Sequence, residues 1–299
     1  VGSGFTEIVN YSFGTPLAVD HLCLPENDDR RNLVKIKNPL GEELSVMRTT
    51  MIYGLIDTAR RNANNGCFDL KIFELGRTFF HRGEGELPEE KNVLAGLITG
   101  KITEEFWGTD KIADFYTLKG CLENIFYDLK INNCKYIPSA DESFLHPGKT
   151  CKIDLNEGEI GFLGEVHPDV KAKTDLKNNA YVFEINLDML INACLGKKIV
   201  YQETSKYPAV TRDAAFVVSD DIQADKMLDI VRNQDEYLLE NVTIFDVYKG
   251  KGIPEGTKSL GLRFSYRAAD RTLTDADASV VHDRIVQNTV KLTGAKIRS

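Results

Sequence analysis

The amino-acid sequence predicts an α+β protein in which an antiparallel sheet with flanking helices is followed by a smaller βαββαβ domain. Three observations lead to this prediction. The chain has 299 residues, a length typical of two domains. A short, charged stretch from Gly196 to Pro208 ends in proline and separates the two parts, at residues 1–200 and 205–299. Strand-like apolar runs also alternate with helix-like segments in both parts.

In the first domain, helical periodicity is predicted over residues 48–64 and 116–129. In the second of these helices Leu118, Leu122, Phe126 and Leu129 share a face. Strands are predicted over residues 68–80, 93–99, 150–155, 159–166 and 181–187. Asn156-Glu157-Gly158, between two of these strands, is a hairpin signal. Strands joined by hairpins, with helices packed to one side, favour an antiparallel sheet.

The second domain has the predicted order β-α-β-β-α-β. Strands are expected over residues 214–218, 238–248, 259–266 and 295–298, and the third strand places Leu260, Leu262, Phe264 and Tyr266 on one face. Asp221 is expected to cap a helix that ends near Arg232. Thr274 is expected to cap a longer helix, ended by Gly294, with Val281, Ile285, Thr289 and Leu292 at helical spacing. This order predicts a ferredoxin-like sandwich of two helices on one sheet.

Composition restricts the class of protein. A hydrophobic content of 42% with 27% charged residues is ordinary globular composition, which excludes disordered and fibrous proteins. No apolar run approaches the ~18 residues that span a bilayer, so no membrane association is expected. The 6 cysteines form no C-x-x-C pair, which favours reduced thiols in a cytoplasmic protein. The start, Val1-Gly2-Ser3-Gly4-Phe5, is neither a signal peptide nor an initiator methionine, and we expect it to be a cut inside a longer protein.

Charge is distributed unevenly along the chain. The net charge is −8, yet residues 205–299 hold 14 basic and 14 acidic residues and are neutral. Within them, residues 249–271 carry a local charge of +4. Two aromatic residues, Phe264 and Tyr266, lie in this range, and Tyr248 directly precedes it. Basic residues interleaved with aromatics suit a surface that follows phosphates and stacks bases. Ordinary solvated strands with lysine and arginine explain the same pattern equally well.

Catalytic and metal signatures are absent from the sequence. There is no G-x-S-x-G, no S-x-x-K, and Gly256-Thr257-Lys258-Ser259 fails the pattern of a phosphate-binding loop. The histidines are isolated, so no metal site is predicted. Acidic pairs such as Asp28-Asp29 lie in turn-like segments and are expected to be solvated. From these residues alone, we predict no active site in this chain.

Short motifs follow one another in a fixed order over essentially the whole chain. In the first domain they are Gly4-Phe5-Thr6-Glu7, Tyr11-Ser12-Phe13, Asn38-Pro39-Leu40, Ser45-Val46-Met47-Arg48-Thr49, Phe73-Glu74-Leu75-Gly76-Arg77, 114–120, His146-Pro147-Gly148 and 163–168. In the second they are 206–210, Arg212-Asp213, Phe245-Asp246-Val247-Tyr248-Lys249-Gly250, Lys258-Ser259-Leu260 and 271–275. Each motif is weak by itself, but in this order they resemble the C-terminal part of the beta subunit of bacterial phenylalanyl-tRNA synthetase, and the order makes the match specific.

The resemblance implies a fold and a division of labour. Residues 1–200 would be a noncatalytic domain built on the class II synthetase antiparallel sheet, and residues 205–299 the ferredoxin-fold anticodon-binding domain. The alpha subunit would handle phenylalanine, ATP and Mg²⁺ in an α2β2 heterotetramer, so no cofactor is expected in this chain. Class II sites hold ATP phosphates with two motif arginines. Residues 73–77 lack the Arg-x-Glu context of the first, and residues 181–186 lack the glycines and arginine of the second. The family's editing and other N-terminal domains would precede Val1.

Three functions stay open at this point. The first, which we favour, is a tRNA-binding and subunit-docking part of phenylalanine–tRNA ligase that is not catalytic alone. The second is a self-sufficient class II-type ligase that activates a carboxylate with ATP. The third is a purely structural assembly module without RNA contact.

The resemblance and strand geometry together nominate site residues. Asp246 and Tyr248 are two apart on one strand and should share a face, with Phe245 and Val247 turned to the helix-covered side. Tyr248 would stack on the first anticodon base, a guanine, and Asp246 would accept hydrogen bonds from its N1–H and N2–H₂. Phosphate contacts are assigned to Lys249, Arg212, Lys258 and Arg263. Met47 and Arg48, in the segment that resembles motif 1, are assigned to the interface with the alpha subunit.

Overall fold

The protein is described by a computed structural model that covers residues 1–83, 85–103, 111–131, 133–155, 158–197, 199–201, 203–234 and 236–298. It divides into two units, Val1–Ile199 and Val200–Ser299. Within the described residues, every helix is too short or too polar to cross a membrane.

The N-terminal unit is a mixture of short and long strands with helices between them. Its strands are β1 (Thr6–Glu7), β2 (Phe13–Gly14), β3 (Val46–Met47), β4 (Leu70–Phe80), β5 (Glu89–Thr99), β6 (Lys101–Thr103), β7 (Lys111–Ile112), β8 (Cys134–Pro138), β9 (Leu145–Leu155), β10 (Gly158–Val166) and β11 (Ala180–Asn186). Its α-helices are α1 (Ala18–His21), α2 (Ile52–Asn64), α3 (Phe115–Asp128), α4 (Pro168–Lys173) and α5 (Leu187–Cys194). Single 3₁₀ turns lie at Asp29–Arg31 and Glu42–Leu44.

A seven-stranded sheet with the order β1-β4-β5-β11-β10-β9-β8 organises this unit. All its neighbours pair antiparallel except β1 and β4, which are parallel. β9 and β10 pair up to Leu155 and Gly158, while Asn156 and Glu157 of the predicted hairpin lie outside the described residues.

Helices cover both faces of the large sheet. One apolar cluster joins α2 to Ile72, Leu97 and Val182, and a second joins α3 to Ile153 and Phe183 among others. The prediction that helices pack to one side was therefore wrong. β11 buries both of its faces, as strands covered on two sides do, and so carries a nearly continuous apolar run.

Helix α2 begins at Ile52, whereas the sequence predicted a start at Arg48. The backbone of Arg48 is engaged elsewhere: its N–H donates to the Ser12 carbonyl, and its carbonyl accepts from the N–H of Phe79. These bonds hold Arg48 outside the helix, next to β3. Helix α3 buries Leu118, Leu122 and Phe126 as predicted, but Leu129 caps its end and is exposed.

The C-terminal unit has the predicted βαββαβ order. Its elements are β12 (Val210–Ser219), α6 (Ala224–Arg232), β13 (Leu239–Tyr248), β14 (Thr257–Tyr266), α7 (Asp275–Thr293) and β15 (Lys296–Ile297). The antiparallel sheet has the order β13-β14-β12-β15. Both helices pack on the face that carries Phe216, Leu260, Leu262 and Phe264, and together they form the core of the unit.

The caps predicted from the sequence are confirmed at both ends of α7, but the predicted N-cap of α6 is wrong. Thr274 and Asp277 form a reciprocal capping box, and Gly294 ends α7 with a φ of 67°. Asp221 does not cap α6: a turn closed by the bond from Ile222 N to Ser219 O delays the helix, and its N-cap is Gln223. Leu292, expected on the buried face of α7, is exposed near the helix end.

Candidate functional site

The candidate site is the face of the four-stranded sheet opposite α6 and α7, which we call the open face. Residues of β14 alternate between the two sides, so Leu260 and Leu262 face the helices while Ser259, Gly261 and Arg263 belong to the open face. Residues directly opposite one another in an antiparallel pair share a side. This rule extends the open face to both neighbouring strands of β14.

Asp246 and Tyr248 both lie on the open face. Asp246 is opposite Gly261, and Tyr248 is opposite Ser259. The Asp246 carboxylate is exposed, and among the described residues it has no hydrogen-bond or ion-pair partner. The Tyr248 hydroxyl donates to the carbonyl of Lys251 at 3.2 Å, which fixes the ring at the end of β13. A free acceptor thus lies beside an anchored aromatic ring.

The prediction that Phe245 faces the helices is wrong. The pairing of β13 with β14 shifts between Ile244 and Asp246, which is a β-bulge. A Cβ built on Gly261 would lie 2.9 Å from Phe245 Cζ, so the phenyl ring crosses the open face above that glycine. Val247, opposite Leu260, is on the helix side and is nevertheless 57% exposed.

Arg263 lies on the open face and is already paired. Its Nε and Nη2 donate to the two carboxylate oxygens of Asp213 on β12 at 2.8 and 2.7 Å. These hydrogen bonds hold the pKa of the Asp213 carboxyl below its usual value. The guanidinium carbon also lies 5.1 Å from the centre of the Phe245 ring. Arg263 thus has a contact on two sides, with Asp213 and with Phe245.

The other three nominated cations do not join Asp246. Lys249 Nζ lies 2.8 Å from Asp220 Oδ1, and Lys258 Nζ donates to the Asp220 carbonyl at 2.9 Å. Arg212 is opposite Phe264 and therefore lies on the helix-covered side, where it donates to Asp275 at the start of α7. Much of the local positive charge seen in the sequence is therefore neutralised by neighbouring acidic groups or turned away from the open face.

Two cations that the sequence analysis did not nominate lie on the open face. Lys296 of β15 is opposite Val217, and the guanidinium carbon of Arg298 lies 5.0 Å from the Tyr248 ring centre. Neither has a carboxylate partner among the described residues. The two residues are two apart in the sequence, and this spacing could have predicted that they share one side of a strand. The spacing did not reveal which face they occupy, because β15 is short and pairs with β12, a strand far away in the sequence.

Arg48, nominated for a subunit interface, is largely enclosed in the N-terminal unit. Its side chain is 13% exposed and donates to Glu74 Oε1 at 2.7 Å and to the Arg77 carbonyl at 2.9 Å. Met47 is half-buried and lines a cavity of about 80 Å³ together with Tyr11 and Phe13. Arg48 therefore stabilises this region through buried contacts, whereas Tyr11 is 73% exposed and lies on the surface of the region.

The strand positions compared with class II motifs carry side chains that are buried or already paired. Phe183 and Ile185 of β11 are buried in the apolar cluster beneath α3. Between them, the Glu184 carboxylate accepts hydrogen bonds from Thr50 Oγ1 and Met51 N at 2.7 and 2.8 Å. Arg77 pairs with Glu90 at 2.7 Å. Over the described ranges, the structure contains no cluster of three potential metal-ligating side chains.

Comparison with known proteins assigns both units. Residues 1–187 match the family model described as the phenylalanyl tRNA synthetase beta chain CLM domain. Residues 205–298 match the ferredoxin-fold anticodon binding domain. Among solved structures, a pyrrolysyl-tRNA synthetase from Desulfitobacterium hafniense aligns with 64% of this chain and 63% of its own, at 15% identity and a TM-score of 0.48, a likeness too low to carry an argument.

Curated relatives align with nearly the whole chain. A phenylalanine–tRNA ligase beta subunit from Syntrophus aciditrophicus is 49% identical over 99% of this chain, and one from Clostridium tetani is 40% identical over 100%. The chain spans 37% and 36% of the length of these two proteins. Because a model of this family matches more than half of the residues, and curated relatives align with 99–100% of the chain, the chain belongs to the phenylalanyl-tRNA synthetase beta chain family.

Proposed function

We propose that this chain is the part of a phenylalanine–tRNA ligase beta subunit that binds the anticodon region of tRNA(Phe) and docks the catalytic alpha subunit. The observation that carries the first role is the exposed Asp246 carboxylate beside Tyr248 on the open face. A carboxylate repels phosphates, so its presence on an RNA-binding face calls for a specific partner. Guanine offers two donors on its Watson–Crick edge, which an acceptor-only group can recognise.

The surroundings of Asp246 support this role. Lys296 and Arg298 supply positive charge on the same face, where they can neutralise phosphates without choosing a base. Tyr248 supplies a ring for stacking, which is tolerant of base identity. In this proposal Asp246 selects guanine, Tyr248 holds it, and the cations hold the backbone. Lys249 and Lys258 would contribute only where a phosphate displaces their present partners.

For the N-terminal unit, we propose a noncatalytic domain of the class II synthetase type. Its residues do not fit ATP: Phe183 and Ile185 pack into the core, and Arg77 is held by Glu90. Adenylation requires cations placed to meet phosphate charge. The proposal therefore leaves ATP, Mg²⁺ and phenylalanine to the alpha subunit of a cytoplasmic α2β2 heterotetramer. Aminoacyl-adenylate formation by this chain without an alpha subunit would contradict it.

The docking surface is proposed around Tyr11 and Met47. Tyr11 stacks on Phe13 with ring centres 5.0 Å apart and is otherwise exposed, as an aromatic anchor at an interface would be. Tyr11→Glu together with Met47→Glu should abolish co-purification with the alpha subunit. Tyr116→Glu, a change at an exposed tyrosine on α3, serves as the control. Undiminished association of the double variant would refute this surface.

The anticodon role is tested with the complete enzyme and tRNA(Phe). Asp246→Asn and Tyr248→Ala should each weaken use of the G-starting anticodon by about 1–3 kcal/mol. Asp246→Asn should also reduce discrimination against A at that base. Asp225→Asn, which removes an exposed carboxylate on α6, should change neither property. If both open-face variants bind and discriminate as the parent does, the anticodon role is wrong.

A further inference from the structure

Phe245 is a large aromatic side chain that the fold holds on the open face. Simple alternation along β13 would turn it toward the helices, but the bulge after Ile244 reverses its direction. The residue is 52% exposed, although an apolar ring gains free energy when it is covered. Val247 is as exposed on the helix side, so what distinguishes Phe245 is its place beside Asp246 and Arg263.

Gly261 provides the space for this ring. A Cβ at position 261 would lie 2.9 Å from Phe245 Cζ and 3.2 Å from Asp246 Cβ. Such distances require displacement, so a residue with a side chain would lift the ring off the sheet. The bulge and the glycine are on different strands and act together to place one phenyl ring beside Asp246.

The open face therefore carries two pairs of an aromatic ring and a guanidinium group. Arg263 lies 5.1 Å from the Phe245 ring centre, and Arg298 lies 5.0 Å from that of Tyr248. The Phe245 ring lies near Gly261 and Tyr248 is opposite Ser259, and the Cα atoms of these two β14 residues are about 7 Å apart. This spacing is about twice the 3.4 Å rise of stacked bases, so the two sites suit bases that are splayed apart, as in an RNA loop.

We propose that Phe245 is a second base-stacking platform, which takes the nucleotide adjacent to the guanine at Asp246 and Tyr248. This inference rests on the proposed anticodon role. Because every base has a π-face, the platform contributes affinity, and Asp246 contributes identity. Arg263, held by Asp213, lies over one face of the ring, where its positive charge can meet the phosphate between the two nucleotides while the base stacks on the other face.

The test uses the complete beta chain in complex with its alpha partner. The probe is an RNA hairpin with a seven-nucleotide loop in which 2-aminopurine follows the G, because stacking on an aromatic ring quenches the fluorescence of this base. Phe245→Leu keeps an apolar side chain without a π-face, and Phe245→Trp keeps the π-face. Val247→Ala removes an equally exposed apolar side chain from the other side of the same strand.

We expect Phe245→Leu to abolish the quenching and to weaken binding by about fivefold to 150-fold. Phe245→Trp and Val247→Ala should behave as the parent does. If Phe245→Leu leaves quenching and affinity intact while Tyr248→Ala weakens binding, the second platform is refuted and the anticodon role stands. If Tyr248→Ala and Asp246→Asn are also without effect, the anticodon role itself fails. A loss of affinity with full quenching would mean that the ring only orients Arg263, which also refutes the platform.

Discussion

Replacing Arg48 should destabilise the N-terminal unit rather than act directly at a subunit interface. Arg48 and Glu74 form an ion pair at 2.7 Å with side-chain exposures of 13% and 2%. In Arg48→Met the Glu74 carboxylate loses its cation but stays enclosed, with only Asn10 still donating to it. Removing one partner of a buried pair costs about 3–5 kcal/mol. In a unit of this size, that corresponds to a fall of roughly 6–20 °C in the unfolding midpoint.

A double-mutant cycle isolates the charge effect. Glu74→Gln keeps an acceptor for Asn10 and removes the unpaired charge, so Arg48→Met with Glu74→Gln should recover much of the stability that Arg48→Met alone loses. Arg77→Met is the matched control, because Arg77 pairs with Glu90 at the surface and such pairs contribute about 0–1 kcal/mol.

Differential scanning calorimetry of the 299-residue chain measures these shifts. The reasoning is refuted if Arg48→Met melts no lower than the Arg77→Met control. It is also refuted if the double variant is as unstable as the sum of its single changes, because the two side chains would then not be coupled. Loss of alpha-subunit binding by a fully stable Arg48→Met protein would instead return this residue to the interface.

Three further predictions concern stability and RNA binding. Burial raises the pKa of Glu184 above its usual 4.5, so ionisation of this carboxyl in the folded state opposes folding. The free energy of unfolding should therefore fall as pH rises from 4.5 through the raised pKa. Urea titrations at several pH values should show that Glu184→Gln loses this pH dependence. Thr274→Ala removes the capping box of α7 and should lower the free energy of unfolding of the C-terminal unit by about 1 kcal/mol in the same assay, whereas an unchanged value would mean that the cap is dispensable. Arg298→Ala should weaken tRNA binding and reduce the slope of log affinity against log salt by about one. Lys291→Ala, on the outside of α7, should change neither quantity. An unchanged slope in Arg298→Ala would mean that Arg298 does not contact a phosphate.

Local patterns in the sequence were sufficient for most elements. The βαββαβ order, the apolar face of β14 and the ends of α7 depend on periodicity and capping within a few residues, and the structure has all three. Errors arose where a backbone group is engaged by a distant strand or an intervening turn. Arg48 looked helical, yet bonds to Ser12 and Phe79 hold it outside the helix, and a turn at Ile222 displaced the cap expected at Asp221.

The candidate site was predictable in its chemistry but not in its full composition. Asp246 and Tyr248 are two residues apart, so any regular strand places them together. The charges around them depend on pairings across the sheet: Arg263 meets Asp213 from 50 residues away, and Arg298 reaches Tyr248 from another strand. Composition could count these cations but could not tell which of them already have partners.

By itself, the sequence determined the order of the elements in the C-terminal unit, the family resemblance and the residue types at the proposed anticodon site. Only the tertiary structure decided which side chains share the open face. The bulge that turns Phe245 outward exists only in the pairing of β13 with β14, and the gap that receives its ring belongs to Gly261 on the other strand. The physical reason is that register is a property of two strands together, and an offset of one residue reverses the direction of a side chain.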